Sequence, residues 1–264
     1  MAGGGATLPR LPLRERTIVL AAVAGVTALA WLYLVAFDGG MPEMAGMSAM
    51  PGMAMPMAWT PALAAVTFAM WSVMMAGMML PGAAPMMLTF AALHRREPAA
   101  RDRWLPTALF ACGYLAVWTG FSAAATALQW GLDRLALLSP AMAASSALLG
   151  GALFVAAGIY QVTPLKQACL RNCRSPFAFL LNRWRPGPGG AFAMGVEHGA
   201  WCLGCCWLLM ALLFAVGVMN LLWVAGLALL VLAEKLLPGG EWVARAGGAA
   251  MMGYGVWLVV ATGG

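Results

Sequence analysis

Long apolar runs separated by short polar segments dominate the hydrophobic pattern of this chain. Seven runs are candidates for membrane-spanning helices: 17–37, 59–80, 104–128, 140–160, 191–217, 219–233 and 244–262. A span needs about 20 residues, so the sixth run is short and the seventh is marginal. The pattern predicts an all-α, polytopic helical membrane bundle with about seven transmembrane helices.

Composition agrees with a membrane protein, because 63% of the 264 residues are hydrophobic and only 9% are charged. No soluble domain needs that much apolar surface. The formal net charge of +6 could indicate a nucleic-acid partner. The positions of the basic residues argue against that interpretation.

The basic residues sort by side of the predicted bundle. With the N-terminus in the cytoplasm, 14 of the 15 lysines and arginines fall in cytoplasmic segments, and only Arg134 falls outside. The cytoplasmic set is Arg10, Arg14, Arg16, Arg95, Arg96, Arg101, Arg103, Lys166, Arg171, Arg174, Arg183, Arg185, Lys235 and Arg245. This partition predicts a multi-pass protein of the bacterial inner membrane, N-terminus inside and C-terminus outside. It also predicts basic contacts with the lipid bilayer and no nucleic-acid partner.

Three regions follow from the same pattern. Residues 1–37 form a basic N-terminus and first membrane anchor, 38–58 a methionine-rich periplasmic loop, and 59–264 a metal-binding membrane bundle. The first run could instead be a signal peptide. About 21 apolar residues is long for one, and no small-residue cleavage site precedes Asp38, which favours an uncleaved anchor.

The fifth run holds the strongest functional signal, MGVEHGAWCLGCCWLLM at 194–210. Ionisable and thiol groups at membrane depth are costly and mark functional sites. On a helix, Met194, His198, Cys202 and Cys205 share one stripe, with Cys206 beside it. Imidazole and thiolate together suit a soft or borderline metal ion. The alternative is that the cysteines pack as small apolar residues and His198 bonds a hydroxyl on another helix.

Two further residues lie close to these ligands in sequence. Glu197 lies about 100° round the helix from His198, so it either orients a ligand, pairs with another buried polar group or stays neutral. Met194 completes the stripe at its cytoplasmic end. We expect both to surround the metal rather than bind it directly.

The second run supplies candidate partners for the stripe. Counting depth from the predicted boundaries at about 1.5 Å per residue places Met70 or Met74 level with His198 and Cys202. This predicts a thioether ligand across a helix–helix interface, although most methionines here are expected only to pack. Pro81 and Pro85 are expected to kink or end this helix.

Residues 38–58 contain seven methionines: Met41, Met44, Met47, Met50, Met53, Met55 and Met57. Gly and Pro argue against a helix, and an extended chain of three residues per turn would align Met41 to Met53 along one edge. Thioethers suit Cu(I) and resist oxidation outside the cell, so the loop is predicted to capture the metal. A flexible, compositionally biased linker is the alternative.

The inner segment 161–190 carries Cys169 and Cys173, four residues apart. One helical face would hold both thiols, as a cytoplasmic metal or redox relay. The alternative is a basic interfacial segment with incidental reduced thiols.

Three strings in this chain resemble a known family: WSVMMAGMMLPGAAPMM, GGALFVAAGIYQVTPLKQACLRNCRSP and EHGAWCLGCCWLLM. Together they resemble the bacterial proteins described as predicted metal-binding integral membrane proteins, over about residues 59 to 260. The resemblance implies a multi-helix membrane protein that binds metal through His198, Cys202, Cys205 and Cys206. It implies no substrate, and the methionine-rich loop lies outside the family pattern.

Three function classes fit these features. The first is binding of Cu(I) at a buried His/Cys/Met centre for acquisition, storage or delivery. The second is a membrane oxidoreductase, disfavoured because Glu197 and His198 are almost the only acid–base groups expected at depth. The third is an accessory or assembly subunit with a periplasmic or membrane partner. No nucleotide-binding motif occurs, and two histidines at different predicted depths argue against a bis-histidine haem.

Overall fold

The computed structural model describes residues 11–48, 59–95, 104–138, 144 and 146–262. Within these ranges the chain forms ten helices: α1 (Leu13–Ser48), α2 (Pro61–His94), α3 (Leu105–Arg134), α4 (Ala147–Val162), α5 (Pro164–Arg174), α6 (Pro176–Arg183), α7 (Gly187–Ala211), α8 (Leu213–Val216), α9 (Leu221–Leu236) and α10 (Gly240–Thr262). An isolated bridge between Leu138 and Ala144 is the only β pairing in the described part. The prediction of an all-α fold is confirmed.

Five helical segments are long and apolar enough to cross a membrane: Leu13–Ala36, Pro61–His94, Leu105–Arg134, Gly187–Val216 and Gly240–Ala261. A sixth is reached if α4 and α5, bent by 64° at their junction, count as one span. In the described residues, each of the seven predicted runs overlaps a helix, but α4 and α9 have only 16 residues each. At about 1.5 Å per residue they are shorter than a hydrocarbon core of about 30 Å.

Helix directions alternate through the bundle. Arg95 pairs with Glu15 at one end of α1 and α2, and Trp59 bonds Asp133 at the other end, between the start of α2 and the end of α3. Gly195 of α7 lies against Phe110 of α3 and Gly199 lies against Val117, so α3 and α7 run parallel. The chain between α3 and α7 must therefore return to the end where α3 began.

The same reasoning applies to the end of the chain. Gly151 of α4 contacts Val259 of α10 and Gly158 contacts Met252, so α4 and α10 run antiparallel. Gly150 of α4 lies near Ala215 and Tyr160 donates to the Gly204 carbonyl, so α4 is also antiparallel to α7. Helices α7 and α10 therefore run in the same direction, and α9 must carry the chain back between them. The described chain thus passes through the bundle seven times, with α4–α5 and α9 as the two short passes.

Helix α2 continues past both interior prolines to His94. The expectation that Pro81 or Pro85 ends this helix is wrong. Thr60 caps its start, accepting the backbone N–H of Leu63 at 3.1 Å. Packing against α1, α3 and α9 supports the helix, as neighbouring helices support interior prolines in other membrane proteins.

Helix α1 extends to Ser48 and so includes residues 38–48 of the predicted loop. The expectation that Gly and Pro exclude a helix is wrong for this stretch, since extending an established helix costs less than nucleating one. Met41, Met44 and Met47 lie on this extension, and their side chains are not described. Met50, Met53, Met55 and Met57 lie outside the described residues.

The inner segment folds back onto the bundle. After the bend at Thr163, α5 packs against α7, and α6 packs against α2. Lys166, Cys169 and Leu170 of α5 are buried, with 0%, 5% and 0% of their surface exposed. The segment expected to be a cytoplasmic loop is therefore partly an inner layer of the bundle.

Candidate metal centre

The predicted stripe on α7 lies in the interior. Met194, His198, Cys202, Cys205 and Cys206 are each at most 2% exposed. Close packing of glycines against α3 draws this face inward, because a Cβ added at Gly195 would meet the Phe110 carbonyl oxygen. This agrees with the role of small residues at membrane helix interfaces.

Cys202 is held by two polar side chains from other helices. The Lys235 Nζ of α9 lies 2.9 Å from its Sγ, and the Tyr114 hydroxyl of α3 lies 3.1 Å from it. The same hydroxyl donates to the carbonyl oxygen of Met79 at 3.0 Å. Tyr114 therefore fixes the position of Cys202 relative to the middle of α2.

Cys206 brings the second thiol to α2. Its Sγ lies 3.9 Å from the Met79 Sδ and donates to the Cys202 carbonyl at 2.9 Å. A thiol of α7 and a thioether of α2 thus meet in the interior, one turn of α7 from Cys202. These are soft donors of the kind that select Cu(I).

The cysteines of α5 approach the same face of α7. The Cys173 Sγ lies 4.0 Å from the Cys205 Sγ, and Cys205 donates to the Cys202 carbonyl at 3.1 Å. Cys169 packs at Gly204, where an added Cβ would lie 2.9 Å from its Sγ. We call the thiols of Cys173, Cys202, Cys205 and Cys206 with the Met79 thioether the sulfur cluster. Its cysteines and Cys169 are free thiols.

The methionine of α2 in the cluster is Met79, whereas the depth count favoured Met70 or Met74. Contacts of Met79 with Cys206 and of Trp71 with Phe214, ring centroids 5.2 Å apart, fix an antiparallel register. Met74 is then level with Ala211, about 13 Å along α7 from Cys202. The depth count assumed a core of about 30 Å, whereas α2 continues through its prolines for 34 residues, about 51 Å at 1.5 Å per residue.

His198 is enclosed by aromatic rings one turn from Cys202. Its imidazole stacks on Phe110 and Tyr114, with centroids 6.0 and 5.5 Å away, and Phe179 meets it edge-on at 5.7 Å. Its Nδ1 is buried and has no hydrogen-bond partner among the described residues. Buried polar atoms normally have a partner, so this nitrogen is available to a ligand.

Glu197 faces away from the sulfur cluster. Its carboxylate pairs with Arg183 at 2.7 Å and with Arg185 at 3.4 Å. Both arginine side chains are about half exposed, so this ion pair differs from the buried pairing considered from the sequence. The pairing anchors α7 to the chain around the end of α6.

A buried ionic network, which the sequence did not predict, adjoins the cluster. Glu234 accepts from Lys166 and from Gln161, each at 2.6 Å, and all three residues are at most 1% exposed. Lys166 and Lys235 were expected to face the inner leaflet. Glu234 ends an apolar run, and the sequence did not predict that its carboxylate would be buried. The assumption that Glu197 and His198 are almost alone at depth is therefore wrong.

The donors come in pairs rather than in a closed metal site. No group of three His, Cys, Asp or Glu side chains in the described ranges is arranged to hold an ion. Thioethers are soft donors as well, and Cu(I) is satisfied by few, soft ligands. Cys202 and Cys206 with Met79, and Cys173 with Cys205, fit such an ion better than one that needs four ligands.

The fold and the cluster together define a class: a helical bundle with apolar, span-length helices and a buried set of sulfur donors. Residues 68–258 match the family PpoB2, described as copper chaperone. The match covers more than half of the chain, which therefore belongs to this family and has a copper-related role. It begins after the methionine-rich loop and includes every residue of the sulfur cluster. No curated protein and no solved structure matches the chain.

Proposed function

We propose that this chain is an integral membrane copper chaperone that binds Cu(I) at the sulfur cluster and passes it across the bundle to a receiving partner. One observation carries the proposal: sulfur atoms from α2, α5 and α7 converge in the interior of a chain that belongs to a copper chaperone family. Cu(I) is the cargo of the site.

The first binding position is the group of Cys202, Cys206 and Met79. Two thiolates supply strong soft ligands, and the thioether completes a low-coordinate set without adding charge. Tyr114 and Lys235 hold Cys202 in place from two other helices. The ligands predicted from the sequence, His198, Cys202, Cys205 and Cys206, are kept, and Met79 is added to them.

The second position is the pair of Cys173 and Cys205. Cys205 follows Cys202 by one turn of α7, so an ion can exchange one thiolate at a time without entering water. His198 offers its open Nδ1 beside the first position, close to Met194. Cys169 extends the thiol series along α5, in agreement with the predicted inner relay.

Met70 and Met74 form earlier steps of the same path. They lie on α2 between its start, which leads from the methionine-rich loop, and Met79. With the N-terminus in the cytoplasm, that start faces the periplasm. Cu(I) then moves from Met41, Met44, Met47, Met50, Met53, Met55 and Met57 through thioethers to thiols, and each step offers stronger ligands.

The test is Cu(I) loading of the detergent-purified full chain, with the ligands identified by X-ray absorption. We expect about one tightly bound Cu(I) in a shell of sulfur atoms. The double variant Cys202→Ser with Cys206→Ser should lose it, because hydroxyls are hard and weak ligands. Cys112→Ser is the matched control, since Cys112 is an exposed thiol of α3. Equal loading of all three proteins refutes the assignment of the centre.

A further inference from the structure

Lys235 places a positively charged side chain against the sulfur cluster, where the metal cation is proposed to bind. Its Nζ contacts the Cys202 Sγ at 2.9 Å, and the residue is only 7% exposed. The side chain passes α2 at Gly82, where an added Cβ would lie 3.0 Å from the Lys235 Cδ. A positive charge here repels an incoming cation, so its presence requires a compensating role.

The carboxylate next to Lys235 in the chain is already paired, so Lys235 depends on the thiols for its counter-charge. Glu234, the adjacent residue, pairs with Lys166 at 2.6 Å and forms a neutral ion pair. The Lys235 Nζ instead contacts the Cys202 Sγ, and the Tyr114 hydroxyl lies 3.1 Å from the same sulfur atom. The charge of Lys235 is therefore balanced by sulfur ligands and not by the buried carboxylate beside it.

We propose that Lys235 makes the sulfur cluster selective for a monovalent soft cation over a divalent one such as Zn²⁺, an inference that rests on the proposed function. One Cu(I) bound by two thiolates carries a charge of −1, which Lys235 neutralises. A divalent ion bound by the same thiolates is neutral, and Lys235 then remains as an unbalanced buried charge. Such a charge is costly in a low-dielectric interior.

The donor set acts in the same direction. Zinc sites usually have four nitrogen, sulfur or oxygen ligands, whereas Cys202, Cys206 and Met79 provide two thiolates and a thioether. Thioethers favour Cu(I). The ligands set a preference for a soft ion, and Lys235 adds discrimination by charge.

The experiment compares Cu(I) and Zn²⁺ affinities of the full-length protein in detergent, using chelator competition. In Lys235→Met we expect the ratio of Cu(I) to Zn²⁺ affinity to fall by about tenfold or more, because the cationic counter-charge is lost. Lys235→Arg keeps the charge and should retain most of the wild-type ratio. A role in packing alone would not depend on the charge in this way.

The control is Arg134→Met, which also removes one positive charge, at an exposed site at the end of α3. We expect its affinity ratio to match that of the wild type. A shift equal to that of Lys235→Met overturns the selectivity role. An unchanged ratio in Lys235→Met, with Cu(I) still bound by the wild type, refutes this inference alone. A wild type that binds no Cu(I) refutes the proposed function as well.

Discussion

At the scale of single residues, the buried ion pair between Lys166 and Glu234 is important for the stability of the bundle. Their atoms lie 2.6 Å apart in the interior, and Gln161 occupies the second carboxylate oxygen. Buried pairs contribute little net stability when complete, but removing one partner leaves the other charge without compensation. The pair therefore links α5 to α9 and keeps both next to the sulfur cluster.

We predict that Glu234→Ala destabilises the protein by about 3–5 kcal/mol, because Lys166 keeps a buried charge without a counter-ion. The measurement is equilibrium unfolding in detergent micelles. Glu234→Leu combined with Lys166→Met removes both charges and should cost clearly less. If the double variant is as unstable as Glu234→Ala, volume and not charge is responsible.

At the scale of elements, the contact between α3 and α7 positions the centre. A Cβ at Gly113 would meet the Phe192 carbonyl oxygen, and one at Gly195 would meet that of Phe110. These glycines let the two backbones approach closely. The approach places Tyr114 of α3 within hydrogen-bonding distance of Cys202 of α7.

Gly195→Ala is expected to lower stability by about 1–3 kcal/mol, since the new methyl group forces α3 and α7 apart. The temperature of thermal unfolding and the affinity for Cu(I) should both decrease. The control is Gly120→Ala, also in a long helix, where an added Cβ has no atom within 4 Å. That variant should be neutral or slightly more stable, because alanine favours helix by about 1 kcal/mol. Equal effects in both variants contradict the role of the contact.

At the scale of the whole molecule, seven alternating passes place the two ends of the described chain at opposite ends of the bundle. Arg95 and Glu15 pair at one end, and Trp59 and Asp133 meet at the other. The first of these is the end that the charge partition predicts to be cytoplasmic. With that orientation, the methionines of residues 41–57 are expected on the periplasmic side.

Reporter fusions test this orientation. We expect alkaline phosphatase fused after Gly264 to be active, because it folds only outside the cytoplasm, and a fluorescent protein fused before Met1 to fluoresce inside. Phosphatase fused after Arg185, between α6 and α7, should be inactive and serves as the control. An inactive C-terminal fusion would mean an even number of crossings, with α4–α5 or α9 failing to cross.

Hydrophobic pattern and charge alone predict most of the fold. Each of the seven predicted runs overlaps a helix in the described residues, and the stripe on α7 is buried as its spacing requires. Both follow from local rules, because an apolar run must satisfy its backbone within itself and a period of 3.6 places residues on one face. Helix ends were less predictable: α2 passes Pro85, and α1 reaches Ser48.

The sequence by itself determined the helical passes and the buried His/Cys stripe of α7, since these depend on residues near one another in the chain. Only the tertiary structure decided which distant residues surround that stripe: Met79, Tyr114, Cys173 and Lys235 come from four other helices. Their arrival depends on helix register and on the bend after α4. Those are set by close packing of glycines and by pairing of buried charges, which no single segment encodes.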